Sequence, residues 1–109
     1  MDFDYQKEDK LLQIRIKDEI DHHTTEKIRR RVDYEIQRYL PRKVIFNFDN
    51  VSFMDSAGIG LLVGRYKLIS MLGGSIILKN VKENIKKILE MSGLLKIIEI
   101  EESQEKNIV

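Results

Sequence analysis

Apolar and polar residues alternate along two early stretches, Phe3 to Glu8 and Leu11 to Lys17. In the second, Leu12, Ile14 and Ile16 oppose Gln13, Arg15 and Lys17. A period of two sends successive side chains to opposite faces, so both stretches read as strands with one buried face, joined through Asp9-Lys10. The spacing then changes. Ile28, Val32, Ile36 and Leu40 recur every four residues while Arg29, Arg30, Asp33 and Arg38 face away, the pattern of an amphipathic helix starting near His22. Asp21 is placed to cap it and Pro41 to help end it. Lys43 to Asp49 alternates again, with Val44, Phe46 and Phe48 against Ile45, Asn47 and Asp49, and reads as a central strand.

A second helix is expected from Ser56, carrying Ile59, Leu62, Val63, Tyr66 and Ile69, and Gly73-Gly74 stops it by allowing a left-handed end. Ser75 to Lys79 resumes the sheet. A third helix over Lys82 to Met91 turns Ile85, Ile88 and Leu89 inward, closes at Ser92-Gly93, and precedes a short apolar run, Leu94 to Ile100. Strands alternating with helices predict an α/β domain. Half-polar strands place the helices mainly on one face of a mixed sheet of about four to five strands. One domain over residues 1–101 is expected, with a frayed tail over 102–109 and no internal repeat.

Composition narrows the functions. A chain of 109 residues fits one core, since domains commonly hold roughly 100 to 150 residues. Nineteen Lys and Arg against eighteen Asp and Glu leave a net charge of +1, which offers no global field for nucleic acid or anionic lipid. No apolar run approaches the roughly 18 residues that span a bilayer, and signal-peptide order is missing, so an untargeted cytoplasmic protein is expected. Without cysteine there is no disulfide framework, thiolate metal site or thiol nucleophile.

Chemistry-bearing residues concentrate at Asp55-Ser56-Ala57-Gly58, between an apolar run and a helix. Met54-Asp55-Ser56-Ala57-Gly58 has methionine where a hydrolase nucleophile elbow requires glycine, and both histidines precede the serine, against that fold's order. Gly58, Gly60 and Gly64 lack the dinucleotide spacing, which needs glycine at Val63, although a small nucleotide-binding protein stays as an alternative. Adjacent His22 and His23 diverge by about 100° on a helix and have no third ligand in sequence, so no metal or cofactor is expected. Arg29-Arg30-Arg31 is interleaved with Glu26, Asp33 and Glu35, a solvated helix face and not a phosphate-binding one. Tyr34 and Tyr66 read as packing residues on or near apolar stripes. Ser56 itself fits a helix N-cap, where free amides and the helix dipole would also favour a phosphate. Small Ala57 and Gly58 with apolar Ile59, Leu61 and Leu62 suggest an accessible shoulder for a docking protein. Because Asp21 and Ser56 both follow strands, their loops should gather at the carboxyl end of the sheet.

Several segments together resemble the anti-sigma factor antagonists of the STAS domain family, particularly the sporulation antagonists of endospore-forming bacteria. They are Glu19-Ile20-Asp21-His22-His23-Thr24, Ser52-Phe53-Met54-Asp55-Ser56-Ala57-Gly58-Ile59-Gly60, Gly64-Arg65-Tyr66-Lys67, Met91-Ser92-Gly93-Leu94 and Lys96-Ile97-Ile98. The resemblance covers nearly the whole chain. It implies a non-enzymatic regulator that binds an anti-sigma factor when unmodified and releases a sporulation sigma factor. It also implies that Ser56 is phosphorylated by a partner that is both anti-sigma factor and serine kinase, and that a serine phosphatase restores it. Asp21, His22, Asp55, Ser56, Ala57, Gly58, Ile59, Gly60 and Leu61 would form the partner-binding surface. Asp18 stands where the family often has glycine, and Ala57 where many members carry a second serine. A STAS module of a stress-response partner-switching system is the alternative within the family.

Overall fold

The computed structural model describes residues 1–102. Strands β1 (Asp2–Gln6) and β2 (Leu11–Arg15) form an antiparallel hairpin whose turn ends at Lys10, in the left-handed region with φ 49°. Helix α1 (Thr25–Tyr39) leads to β3 (Lys43–Asn47), α2 (Ser56–Met71) to β4 (Ser75–Lys79), and α3 (Glu83–Ser92) through a 3-10 turn at Leu94–Lys96 to β5 (Glu99–Glu101). The sheet follows chain order, β1-β2-β3-β4-β5, and β2 through β5 run parallel. β3 is therefore the central strand, as its alternation predicts. The expected apolar run after Gly93 divides because Leu94 packs into the core while Ile100 pairs with Leu78 on the last strand.

Alternate residues Leu12, Ile14, Val44, Phe46, Ile76 and Leu78 meet Ile28, Val32, Ile36, Leu62, Ile69, Ile85 and Leu89 in one core cluster, so the helices lie on one face. Ile45 and Ile77 pair with each other in the opposite row and stay outside that cluster. Each fully buried aliphatic side chain contributes about 1.5–3 kcal/mol relative to exposure, which is why the spacing of four in α1 and two in the strands governs the layers.

Several local expectations change. α1 begins at Thr25 and not at His22, because Asp21 instead organises a turn ahead of it: its Oδ1 accepts from the amides of His23 at 2.8 Å and Thr24 at 3.0 Å. Leu40 drops out of the buried stripe, since it takes the left-handed C-cap position at φ 49° and is exposed. Tyr34 is exposed too, whereas Tyr66 packs against the core. Asp33 turns sideways from α1 to meet Arg65 of α2, and Glu35 is buried. Glu101 closes β5, and Glu102 accepts from Lys86 Nζ at 2.6 Å. The rest of the expected tail, residues 103–109, lies outside the described residues.

Candidate functional site

Two parallel strands, β2 and β3, deliver their following loops to the same end of the sheet, and backbone pairing then fastens those loops together. Ile20 and Met54 form an isolated parallel bridge; the Ile20 amide donates to the Phe53 carbonyl at 3.0 Å and the Asp55 amide to the Ile20 carbonyl at 3.0 Å. Both side chains of the bridge are buried, so the bridge is anchored by apolar packing as well as by hydrogen bonds. Asp21-His22 and Asp55-Ser56 therefore stand side by side, as their places after the two strands suggest.

The cap of α2 is Asp55 and not Ser56. Asp55 has extended backbone (φ −103°, ψ −173°) and its Oδ1 accepts from the Ala57 amide at 2.8 Å. Its other oxygen, Oδ2, lies 3.3 Å from the His22 amide, which donates to it, and 3.4 Å from His22 Nδ1. Burial is the largest influence on the Asp55 carboxyl and raises its pKa, but the Ala57 amide and the His22 side chain and amide together outweigh it and hold the group below the ordinary 3.8. A carboxylate at this position also suits the helix dipole.

Ser56 follows as the first residue of the helix. It is exposed, and its Oγ has no hydrogen-bond partner among the described residues. A group arriving at that hydroxyl meets no steric barrier from the cap, yet it arrives next to a carboxylate. Around it, His22 and Gly60 are exposed, and Asp21, Ala57 and Ile59 are half-buried.

The expected apolar shoulder is only partly at the surface. Gly58 is buried, Leu61 is 6% exposed and Leu62 is fully buried, because these positions of α2 are turned into the body of the domain. They shape the surface from beneath. Gly58 is required there: a Cβ would lie 2.4 Å from Met54 Cγ and 3.1 Å from Ile20 Cγ2. The exposed apolar side chain at this end is instead Phe53, 47% exposed, two residues before Asp55. Sequence reading attaches it to the apolar run and so misses it; its place in a loop and not in a strand was the available signal.

Between the first turns of α1 and α2 runs a groove of about 270 Å³, lined among others by His22, Thr25, Arg29, Ala57, Gly60 and Arg65. Arg65 is 8% exposed and its Nε lies 2.7 Å from Asp33 Oδ1. Sequence reading also leaves out this pair, since a charged residue within an apolar helix gives no sign of its partner on another helix.

The STAS domain model matches residues 2–107, and the chain belongs to that family. It is 38% identical over 94 residues to the anti-sigma F factor antagonist of Paenibacillus polymyxa, a match covering 86% of this chain and 80% of that protein. It is also 39% identical over 56 residues to the anti-sigma-B factor antagonist of Bacillus subtilis, 51% of each chain. Among solved structures, the anti-sigma factor antagonist SpoIIAA in its unphosphorylated form superposes with a TM-score of 0.76 at 31% identity, covering 97% of this chain and 91% of that one.

Proposed function

We propose that this STAS domain is an anti-sigma factor antagonist whose binding is controlled by phosphorylation of Ser56. The observation that carries the reading is the placement of Ser56: an exposed hydroxyl at the first residue of α2, without a hydrogen-bond partner among the described residues, next to the Asp55 carboxylate that accepts from His22. Relatives named as anti-sigma factor antagonists support the class. The unmodified domain acts by competitive, non-catalytic binding in the cytoplasm. It occupies the anti-sigma factor, which is also a serine kinase, and thereby frees a sporulation sigma factor.

Asp21, His22, Asp55, Ser56, Ala57, Ile59 and Gly60 form the contact surface, and Gly58 and Leu61 set its height from below. A phosphate on Ser56 adds about −1.5 to −2 charges beside Asp55. With the helix cap already occupied by that carboxylate, the new anion faces the partner, which must then desolvate uncompensated charge. Binding fails at the interface, and the domain itself does not refold. A serine phosphatase would reset the switch.

Incubation of the chain with its anti-sigma kinase and ATP, followed by mass spectrometry, should find one phosphate, on Ser56. Phosphate placed solely on another hydroxyl would refute the assignment. The similarity to a sigma-B antagonist favours a second reading, a stress-response switch with the same chemistry. Binding measured side by side against anti-sigma F and anti-sigma-B factors distinguishes the two.

A further inference from the structure

Arg65 is a buried guanidinium that no hydrogen bond holds among the described residues. It is more than nine-tenths buried, and although its Nε approaches Asp33 Oδ1 to 2.7 Å as an ion pair, the approach lies off the N–H direction, so neither atom makes a hydrogen bond among the described residues. Arginine carries about five N–H donors in a rigid fork, and a buried donor left unpaired is costly. Asp33 is also shared: its Oδ2 lies 3.8 Å from Arg29, whose guanidinium otherwise pairs with Glu26 at 2.9 Å. Burial disfavours the Arg65 charge, Asp33 opposes that, and Arg29 adds repulsion. The wall of the α1–α2 groove thus carries a guanidinium that is ion-paired with Asp33 but makes no hydrogen bond among the described residues, so its donors are open to an acceptor from outside.

The floor of the same groove points the same way. Gly58 and Gly74 would clash with their own surroundings if given a Cβ, and Gly73 and Gly93 have φ of 77° and 79°. Gly60 and Gly64 show no such reason among the described residues, where nothing outside the helix's own backbone lies within 4 Å of where a Cβ would sit. Both are helix-interior positions at which alanine is the more stable choice. They fall one and two turns after Ser56, on one face of α2, with Gly60 lining the groove. A bare helix backbone that no described residue packs against is suited to close approach from outside.

We propose that this groove, continuous with Ala57 beside Ser56, receives a carboxylate side chain of the anti-sigma factor, which lies against the α2 backbone at Gly60 and accepts hydrogen bonds from Arg65. The identity of the partner rests on the preceding reading. A single carboxylate is favoured over a nucleotide because the groove is smaller than the roughly 300–1,000 Å³ of small-molecule sites. Docking here places the partner's nearby surface over Ser56, so one contact serves both recognition and phosphorylation.

The test is calorimetric titration of the full chain with its purified anti-sigma factor in ADP, so that no phosphate transfers. Gly60→Leu fills the groove and improves helix propensity. Arg65→Met combined with Asp33→Asn removes the ion pair as a unit. Each should weaken binding at least about thirtyfold, with circular dichroism unchanged. Alanine replacement of the partner's acidic residues should then reveal one whose loss weakens binding to the wild type but not to the double variant. If the double variant fails to fold, Arg65→Lys replaces it, since loss of binding in Gly60→Leu alone would also follow from the contact surface proposed above. Folded groove variants binding within about threefold of wild type overturn the inference. Ser56→Asp, run in parallel, separates the failures: its loss of binding beside intact binding by the Arg65 variant sinks the groove alone. A wild type that captures no anti-sigma factor sinks both.

Discussion

His22 and Asp55 are joined twice across a sequence separation of 33 residues, with the His22 amide at 3.3 Å and Nδ1 at 3.4 Å from the same carboxylate oxygen. The other oxygen caps α2 through Ala57 at 2.8 Å. One carboxylate therefore ties the first loop to the first turn of the helix that presents Ser56.

That relationship carries a pH dependence. The folded Asp55 pKa lies below 3.8, so its ionised form stabilises the fold above that value, and the contribution disappears as pH falls through the folded pKa. Thermal melts of the wild type and Asp55→Asn should differ at neutral pH, with the difference intact down to the ordinary 3.8 and closing only as pH falls below it through the folded pKa. A difference that stays constant into acid would mean that the carboxylate charge is not what holds the cap.

Ser56→Ala should bind the anti-sigma factor like the unmodified protein and resist inactivation by the kinase. Ser56→Asp, and the phosphorylated wild type more so, should bind weakly. A penalty of about 3 to 4 kcal/mol corresponds to roughly 10²- to 10³-fold in affinity. Surface plasmon resonance with wild-type affinity for the phosphorylated form would exclude an electrostatic switch at this hydroxyl.

Glycines of α2 should respond oppositely to alanine. At Gly58 the new methyl meets Met54 Cγ at 2.4 Å in a buried setting, so Gly58→Ala should cost about 1–3 kcal/mol. At Gly64 it meets nothing within 4 Å, so Gly64→Ala should stabilise by about 0.5–1 kcal/mol. Urea unfolding of the two variants reads both signs. Equal effects would contradict the packing at Met54.

Asp21→Ala removes the acceptor of two amides, those of His23 and Thr24. Loss of such a turn-forming carboxylate should cost about 1 kcal/mol. Because the loop borders Ser56, the rate of phosphorylation should fall by more than the stability change explains. A wild-type phosphorylation rate in this variant would remove the loop from the recognition surface.

The alternation of Leu12 and Ile14, the spacing of Ile28, Val32 and Ile36, and the glycine pair at 73 and 74 place strands and helices close to where they occur, because each pattern reports burial of one face by local geometry alone. Competing local chemistry moved the boundaries: Asp21 spends its carboxylate on a turn and delays α1, and Asp55 takes the cap that a serine could also have filled. Ser56 was legible as a candidate site because it opens a helix after an apolar run. Its surroundings were legible only in part, since a helix pattern marks Leu61 and Leu62 as apolar without saying that both are buried.

The order of elements, the one-sided core and the position of the candidate hydroxyl were determined by the chain itself, since period and punctuation act over a few residues. Only the tertiary structure decided that Ile20 bridges Met54, that His22 grips Asp55, and that Arg65 lies against Asp33 with its Nε lacking a hydrogen bond. These contacts join residues that become neighbours only once parallel strands and their crossover helices are packed, and no local pattern encodes which distant charge or backbone group will arrive there.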